Sequence, residues 1–221
     1  MTDVPGANQP SPDTGPPDPL SASRRVGVQV AALLVAVHLV TGFVGWSAGY
    51  EAWASWVGER PPALRTLVGG RFAPLLADQP WRLGTSALLH VDAAHLAGNA
   101  LSAVLLADLV QPVLGARRTW ALFLVGGVGA SAVSTLLGVV RADGASGAIS
   151  AWLGLVTTLA WRSGAGDLGP LRFLLSVISF ANLVFPAAVF PIDIAAHVGG
   201  FLIGMLSAFA LDQVRTDPQG R

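Results

Sequence analysis

Beyond Arg24-Arg25 the chain is a succession of apolar runs, each close to the length needed to cross a lipid bilayer. They are Val26–Trp46, Ala93–Val110, Trp120–Val140, Ser146–Trp161, Leu171–Phe190 and Ile192–Leu211. A spanning helix needs about 20 apolar residues, within a range of about 17 to 25. Only 12% of residues are charged and 52% are hydrophobic, and mean hydropathy is +0.60. A soluble domain carries roughly a quarter charged residues. The reading is an all-α membrane protein with six transmembrane helices. No small-residue cleavage site clearly ends the first run, so it reads as a membrane helix and not a cleaved signal peptide. The formal net charge is zero, which gives no footing for nucleic-acid binding. Cysteine is absent, which excludes disulfides, thiolate metal sites and cysteine nucleophiles.

The rest of the chain arranges itself around those runs. Residues 1–23, rich in Pro, Gly, Ser and Asp, are expected to be a disordered tail. Residues 24–212 form the membrane domain, and 213–221 a short second tail. Ser47 to Asp92 mixes Trp53, Trp56 and Trp81 with charges, among them Arg60, Arg65, Arg71 and Arg82. That mixture suits the headgroup zone, so a long membrane-lying loop is expected between helices 1 and 2. With six spans both termini share one side. Arg24, Arg25, Arg117, Arg118, Arg162, Arg172, Arg215 and Arg221 then fall on that side, which the positive-inside bias makes cytoplasmic. The expected location is a plasma membrane of bacterial type.

Spans two, four and six run in one direction, so their starts share a leaflet. The unusual polar residues gather there. In "LLHVDAAHLAGNAL", His95 and Asn99 lie in the first two turns of span two, with Asp92 as N-cap. Ser146 opens span four in "GASGAIS", and His197 sits in the second turn of span six in "DIAAHVGGF". Asn99 lies about 9 Å into its helix and His197 about 7 to 8 Å. Span four is short, about 24 Å against a hydrocarbon core of about 30 Å, so Ser146 starts at a similar depth. The link Arg141–Gly144 must descend to meet it, which requires a water-filled cavity. Gly200 and Gly204 share the face of His197, and Ser150 and Gly154 share that of Ser146. Small faces let membrane helices approach closely, which pairs span four with span six.

A serine facing a histidine suggests nucleophilic catalysis. Ser86, Ser102, Ser131, Ser134, Ser176, Ser179 and Ser207 read as packing residues bonded to their own helices. His38 has no polar neighbour at helical spacing and reads as structural. Asp193, one turn before His197, reads as a surface N-cap. No H-E-x-x-H occurs, and no Asp or Glu shares the helical faces of His90, His95 or His197, so no metal is expected. Nothing positive supports a haem between His38 and His197. No cofactor is expected. "GASGA" is not the G-x-S-x-G elbow, because Ala148 replaces the second glycine.

Taken together, these pieces resemble the rhomboid intramembrane serine proteases over roughly residues 26 to 211. The match runs through Trp81-Arg82, then His90, His95 and Asn99 as H-x₄-H-x₃-N, then Gly144, Ser146 and Gly147 as G-x-S-G. It ends with Ala196, His197, Gly199, Gly200 and Gly204 as A-H-x-G-G-x-x-x-G. The resemblance implies a six-helix rhomboid bundle. It implies Ser146 as nucleophile, His197 as general base, and an oxyanion hole of His95, Asn99 and the Ser146 N–H, with His90 supporting the cavity wall. It also implies single-pass membrane proteins as substrates, cut in or just outside the bilayer on the external side. Two positions depart from the family: Ser150 stands where many members have an aromatic against the catalytic histidine, and Gln111 where they have Glu. An inactive rhomboid-like protein that binds membrane clients, and a small transporter using the same cavity, are the competing readings.

Overall fold

The computed structural model describes residues 19–163, 169–183 and 193–216. Helix α1 (Pro19–Ser47) opens the fold. It starts within the proline-rich stretch, so residues 19–23 are helical. Proline suits a first helical position because its φ is preset and its missing N–H is not needed there. Residues 1–18 of the expected tail lie outside the described residues, as do 217–221. Three short helices follow, α2 (Ala52–Trp56), α3 (Pro62–Leu67) and α4 (Arg82–Thr85). Then come α5 (Ala93–Leu114), α6 (Ala116–Leu136), α7 (Ser146–Arg162), α8 (Gly169–Leu183) and α9 (Ile194–Thr216).

Helices α1, α5, α6 and α9 are long and apolar enough to cross a membrane. Helix α7 is shorter at 17 residues, in line with the stunted fourth span. The part of the fifth span beyond Leu183 lies outside the described residues. Large apolar side chains such as Val40, Leu101, Leu105, Val125, Phe173 and Leu206 are exposed on the bundle surface, as a lipid solvent demands.

Several helix ends differ from those expected. Helix α5 runs past Val110 to Leu114 with Pro112 inside its last turn. The proline offers no N–H to the preceding turn, and the helix ends soon after it at Gly115 (φ +73), whose N–H bonds to the Gln111 carbonyl. Gly115 alone links α5 to α6, so α6 begins at Ala116, ahead of Trp120, and ends at Leu136, ahead of Val140. Residues 137–140 beyond α6 form a turn that leads into a short strand. β1 (Arg71–Phe72) pairs antiparallel with β2 (Arg141–Ala142), Arg71 opposite Ala142. The link before α7 is therefore stitched to the long loop.

Helix α7 is the centre of the bundle. Gly147 through Thr157 are buried, and it packs against α5, α6, α8 and α9. Its contact with α9 is made by glycine. A Cβ at Gly200 would overlap the Gly147 carbonyl, one at Gly204 the Ala151 carbonyl, and one at Gly154 the Phe201 carbonyl. The two backbones touch, as the small faces predict.

The long loop is structured, but its arginines are not all at a headgroup surface. Arg60, Arg71 and Arg82 are buried. Each guanidinium is dissolved in oxygen atoms: Arg60 donates to the His38 carbonyl (2.8 Å), the Ser55 carbonyl (2.9 Å) and Thr41 Oγ1 (2.7 Å). Arg82 donates to the Thr66 (2.7 Å) and Gly70 (2.8 Å) carbonyls and to Gln79 Oε1 (2.7 Å), and stacks over the exposed Trp81 ring. A turn-rich loop leaves carbonyls unpaired, and a five-donor side chain is the efficient way to satisfy them. His38 is structural as expected, with Nε2 donating to the Trp56 carbonyl at 3.1 Å.

Candidate functional site

The site is assembled at the starts of α5, α7 and α9. Asp92 caps α5: its extended backbone places the carboxylate to accept the His95 N–H at 2.7 Å. His95 is thus held in the first turn, with Asn99, buried, one turn further along. Ser146 is the first residue of α7, where helix N–H groups have no intrahelical acceptor.

Gly144 joins the two pieces. Its φ is +145, a conformation that favours glycine. A Cβ there would lie 2.7 Å from His95 Cε1, 3.0 Å from His95 Nε2 and 3.7 Å from Asn99 Nδ2. The imidazole and the amide therefore press against the backbone two residues before the serine. Asn99 Nδ2 is buried and has no hydrogen-bond partner among the described residues.

Helix α9 closes the other side. A Cβ at Gly147 would meet Ala130 Cβ at 2.6 Å and the Ala196 carbonyl at 3.4 Å. The first turn of α7 thus lies against the residue preceding His197, which is itself buried. Ser146 lines a cavity of about 20 Å³ with Gly147, Asp193, Ala196, Ser86 and Ser131. That holds about one water. Ser86 and Ser131, read from sequence as packing residues, face this cavity and approach each other at 3.3 Å. Nothing in their local pattern marks them, because their partners lie on different segments.

The supporting residues fall around this centre. His90 is buried, and its ring meets that of His95 edge-on with centroids 5.2 Å apart. Neither His90 nitrogen has a hydrogen-bond partner among the described residues. Burial, then the neighbouring His95, pushes the His90 pKa down to about 3 from an ordinary 6.5. A base held neutral in this way destabilises the fold only when acid charges it. Stability is full above pH 6.5 and is lost as pH falls towards 3, by up to about 1.4 kcal/mol per pH unit. We expect the unfolding temperature to fall between pH 7 and pH 5, and the fall to be visibly smaller in His90→Gln. An equal fall in the variant would refute this assignment. Trp81 and Arg82 lie outside the centre and organise the loop. Asp193 caps α9 through the Ala196 N–H (3.0 Å), but it is not a free surface cap, because Arg71 Nη2 donates to it at 2.8 Å. Gln111 still accepts a bond, from the Val26 N–H at 3.1 Å, so the departure from Glu keeps an acceptor there.

The Rhomboid domain family model matches residues 77–213, from just before Trp81-Arg82 into the last turns of α9. The chain is 34% identical over 131 residues to the rhomboid protease GluP of Bacillus subtilis, covering 59% of this chain and 26% of that protein. It is 26% identical over 184 residues to the rhomboid protease GlpG of Yersinia enterocolitica, covering 82% of this chain and 61% of that one. It is 33% identical over 140 residues to the RHOMBOID-like protein 2 of Arabidopsis thaliana, covering 60% and 43%. The chain spans less than two thirds of the length of these curated relatives.

Proposed function

Because the chain belongs to the rhomboid family, we propose that it is an intramembrane serine protease that works through Ser146 and His197. Ser146 Oγ attacks the scissile carbonyl carbon, and its proton passes to His197. The same proton then goes to the leaving amine as the C–N bond breaks. Water, with His197 again as base, hydrolyses the acyl-enzyme and frees Ser146.

The tetrahedral intermediate carries its negative charge on the former carbonyl oxygen. The Asn99 amide, the His95 imidazole and the Ser146 N–H at the positive end of α7 are the donors for it. The buried, unpartnered Asn99 Nδ2 beside Gly144 is the observation that carries this reading. An unsatisfied buried donor costs about 1–3 kcal/mol, and an oxyanion arriving with the substrate would relieve that cost. The cavity beside Ser146 supplies room for the hydrolytic water.

The substrates on this reading are single-pass membrane proteins, cut at or just outside the bilayer on the external face of a six-span bundle. A helix hides its carbonyls in its own hydrogen bonds, so segments that unwind easily are favoured.

A serine-directed phosphonate probe tests the assignment, because its adduct puts an oxygen where the oxyanion would sit. Label is expected on wild type and absent from Ser146→Ala. In Asn99→Ala the labelling rate should fall about 10²- to 10³-fold. No label on wild type, or equal label on Ser146→Ala, ends the protease reading and leaves that of an inactive client-binding protein.

A further inference from the structure

We propose that Arg71, far from the reacting atoms in sequence and contributed by the long loop, is a positioning residue that holds the helix starts bearing Ser146 and His197 in register. The proposal rests on the reading of those two residues as the reacting pair.

Arg71 is the point at which the two segments meet. Its backbone pairs with β2 opposite Ala142, and its N–H donates to Asp143 Oδ1 at 3.0 Å. Asp143 lies three residues before Ser146. Its guanidinium reaches the other segment: Nη2 donates to Asp193 Oδ2 and to Ser134 Oγ, both at 2.8 Å. Ser134 Oγ donates to the same Asp193 oxygen. Asp193 is the residue whose carboxylate and carbonyl accept the Ala196 and His197 N–H groups. Nη1 ties both to the end of α6 through Thr135 Oγ1 at 2.7 Å. One residue thus grips both: its backbone holds the lead into the nucleophile, and its side chain holds the cap of the helix that carries the base.

Stability alone does not explain this arrangement. The Arg71 side chain is 1% exposed and that of Asp193 13%. Desolvation of such a pair offsets most of its Coulomb attraction, so it adds little net stability and much geometric definition. The glycine contacts set how closely α7 and α9 approach. They do not hold residues 143–145, whose backbone carries His95 and Asn99 against it. Arg71 does.

Misplacing reacting groups by about 1 Å costs on the order of 10²-fold in rate. We therefore expect Arg71→Met to lower kcat about 10²-fold on a membrane substrate in proteoliposomes, with KM within about 3-fold, and to slow phosphonate labelling of Ser146 by the same factor. Arg71→Lys, a point charge without the fork, should recover part of the loss. Asp193→Asn keeps the cap oxygen but not the ion pair. It should match Arg71→Met, and the double variant should be no slower than the slower single one.

Since the chain has no cysteine, spin labels on Val140→Cys and Ile194→Cys, both exposed, report the separation of the two segments directly. Their distance distribution should broaden in Arg71→Met. If Arg71→Met does not fold, Asp193→Asn decides the matter. A wild-type kcat in a folded variant, or losses that multiply in the double variant, overturns the proposal. Failure of the protease reading looks different: wild type then neither cleaves nor labels, while the distance distribution still tests Arg71.

Discussion

Ser146→Ala is expected to lose Ser146-dependent peptide-bond cleavage by about 10⁴-fold or more, and His197→Ala nearly as much, with the double variant little worse than either. The non-additivity is the informative part. If the serine is the nucleophile and the histidine its base, each is useless without the other, so the second loss has nothing left to remove. Two residues that merely packed together would instead give small, separable effects on rate. The measurement is release of a labelled ectodomain from a single-pass substrate in proteoliposomes, with the unfolding temperature of each variant checked in parallel. Ser146→Ala removes a single oxygen; His197→Ala empties a buried site but strands no charge, so the parallel unfolding temperatures separate loss of fold from loss of chemistry. Cleavage that survives Ser146→Ala at more than about a tenth of the wild-type rate would remove the serine from the mechanism.

Gly204→Val is expected to unfold the bundle at a much lower temperature than wild type, a loss of about 3 kcal/mol or more. A Cβ at Gly204 would overlap the Ala151 carbonyl and lie 2.8 Å from the Leu155 nitrogen. Both are backbone atoms of the central helix, so no rotamer change relieves the clash. Helices α7 and α9 would have to separate, and membrane helices associate through the close contact this would abolish. On the proposed mechanism the same separation would also misplace the reacting pair, so activity should fall with stability. Gly98→Ala is the control. No atom lies within 4 Å of a Cβ there, and alanine is the better helix former, so the change should be neutral or stabilising by about 0.5–1 kcal/mol. Equal melting of the two variants would show that the α7–α9 contact is not what glycine is needed for.

Much of the framework around the candidate site was legible in the sequence. Span lengths, the stunted fourth helix, the Asp92 cap and the glycine spacing on α9 are all local patterns, and local backbone physics generates them. The helix ends were less legible. The second apolar run ends at Val110, yet α5 continues through Pro112 to Leu114 and stops at Gly115. The loop arginines were misread as interfacial because charge in a membrane chain ordinarily marks its surface. Arg60, Arg71 and Arg82 go inside, where unpaired carbonyls of an irregular loop need donors.

The sequence by itself therefore determined that this chain is a helical membrane protein of the rhomboid family, with a serine and a histidine opening two helices that can touch. Periodicity, length and glycine spacing act over a few residues and leave a readable mark. The tertiary structure alone decided that Gly144 rests on His95 and Asn99, that Ser86 and Ser131 wall the cavity, and that Arg71 joins Asp143 to Asp193. Those partners are 45 to 122 residues apart along the chain, and no local preference encodes them. They exist only once the helices have packed and the buried polar groups have had to find one another.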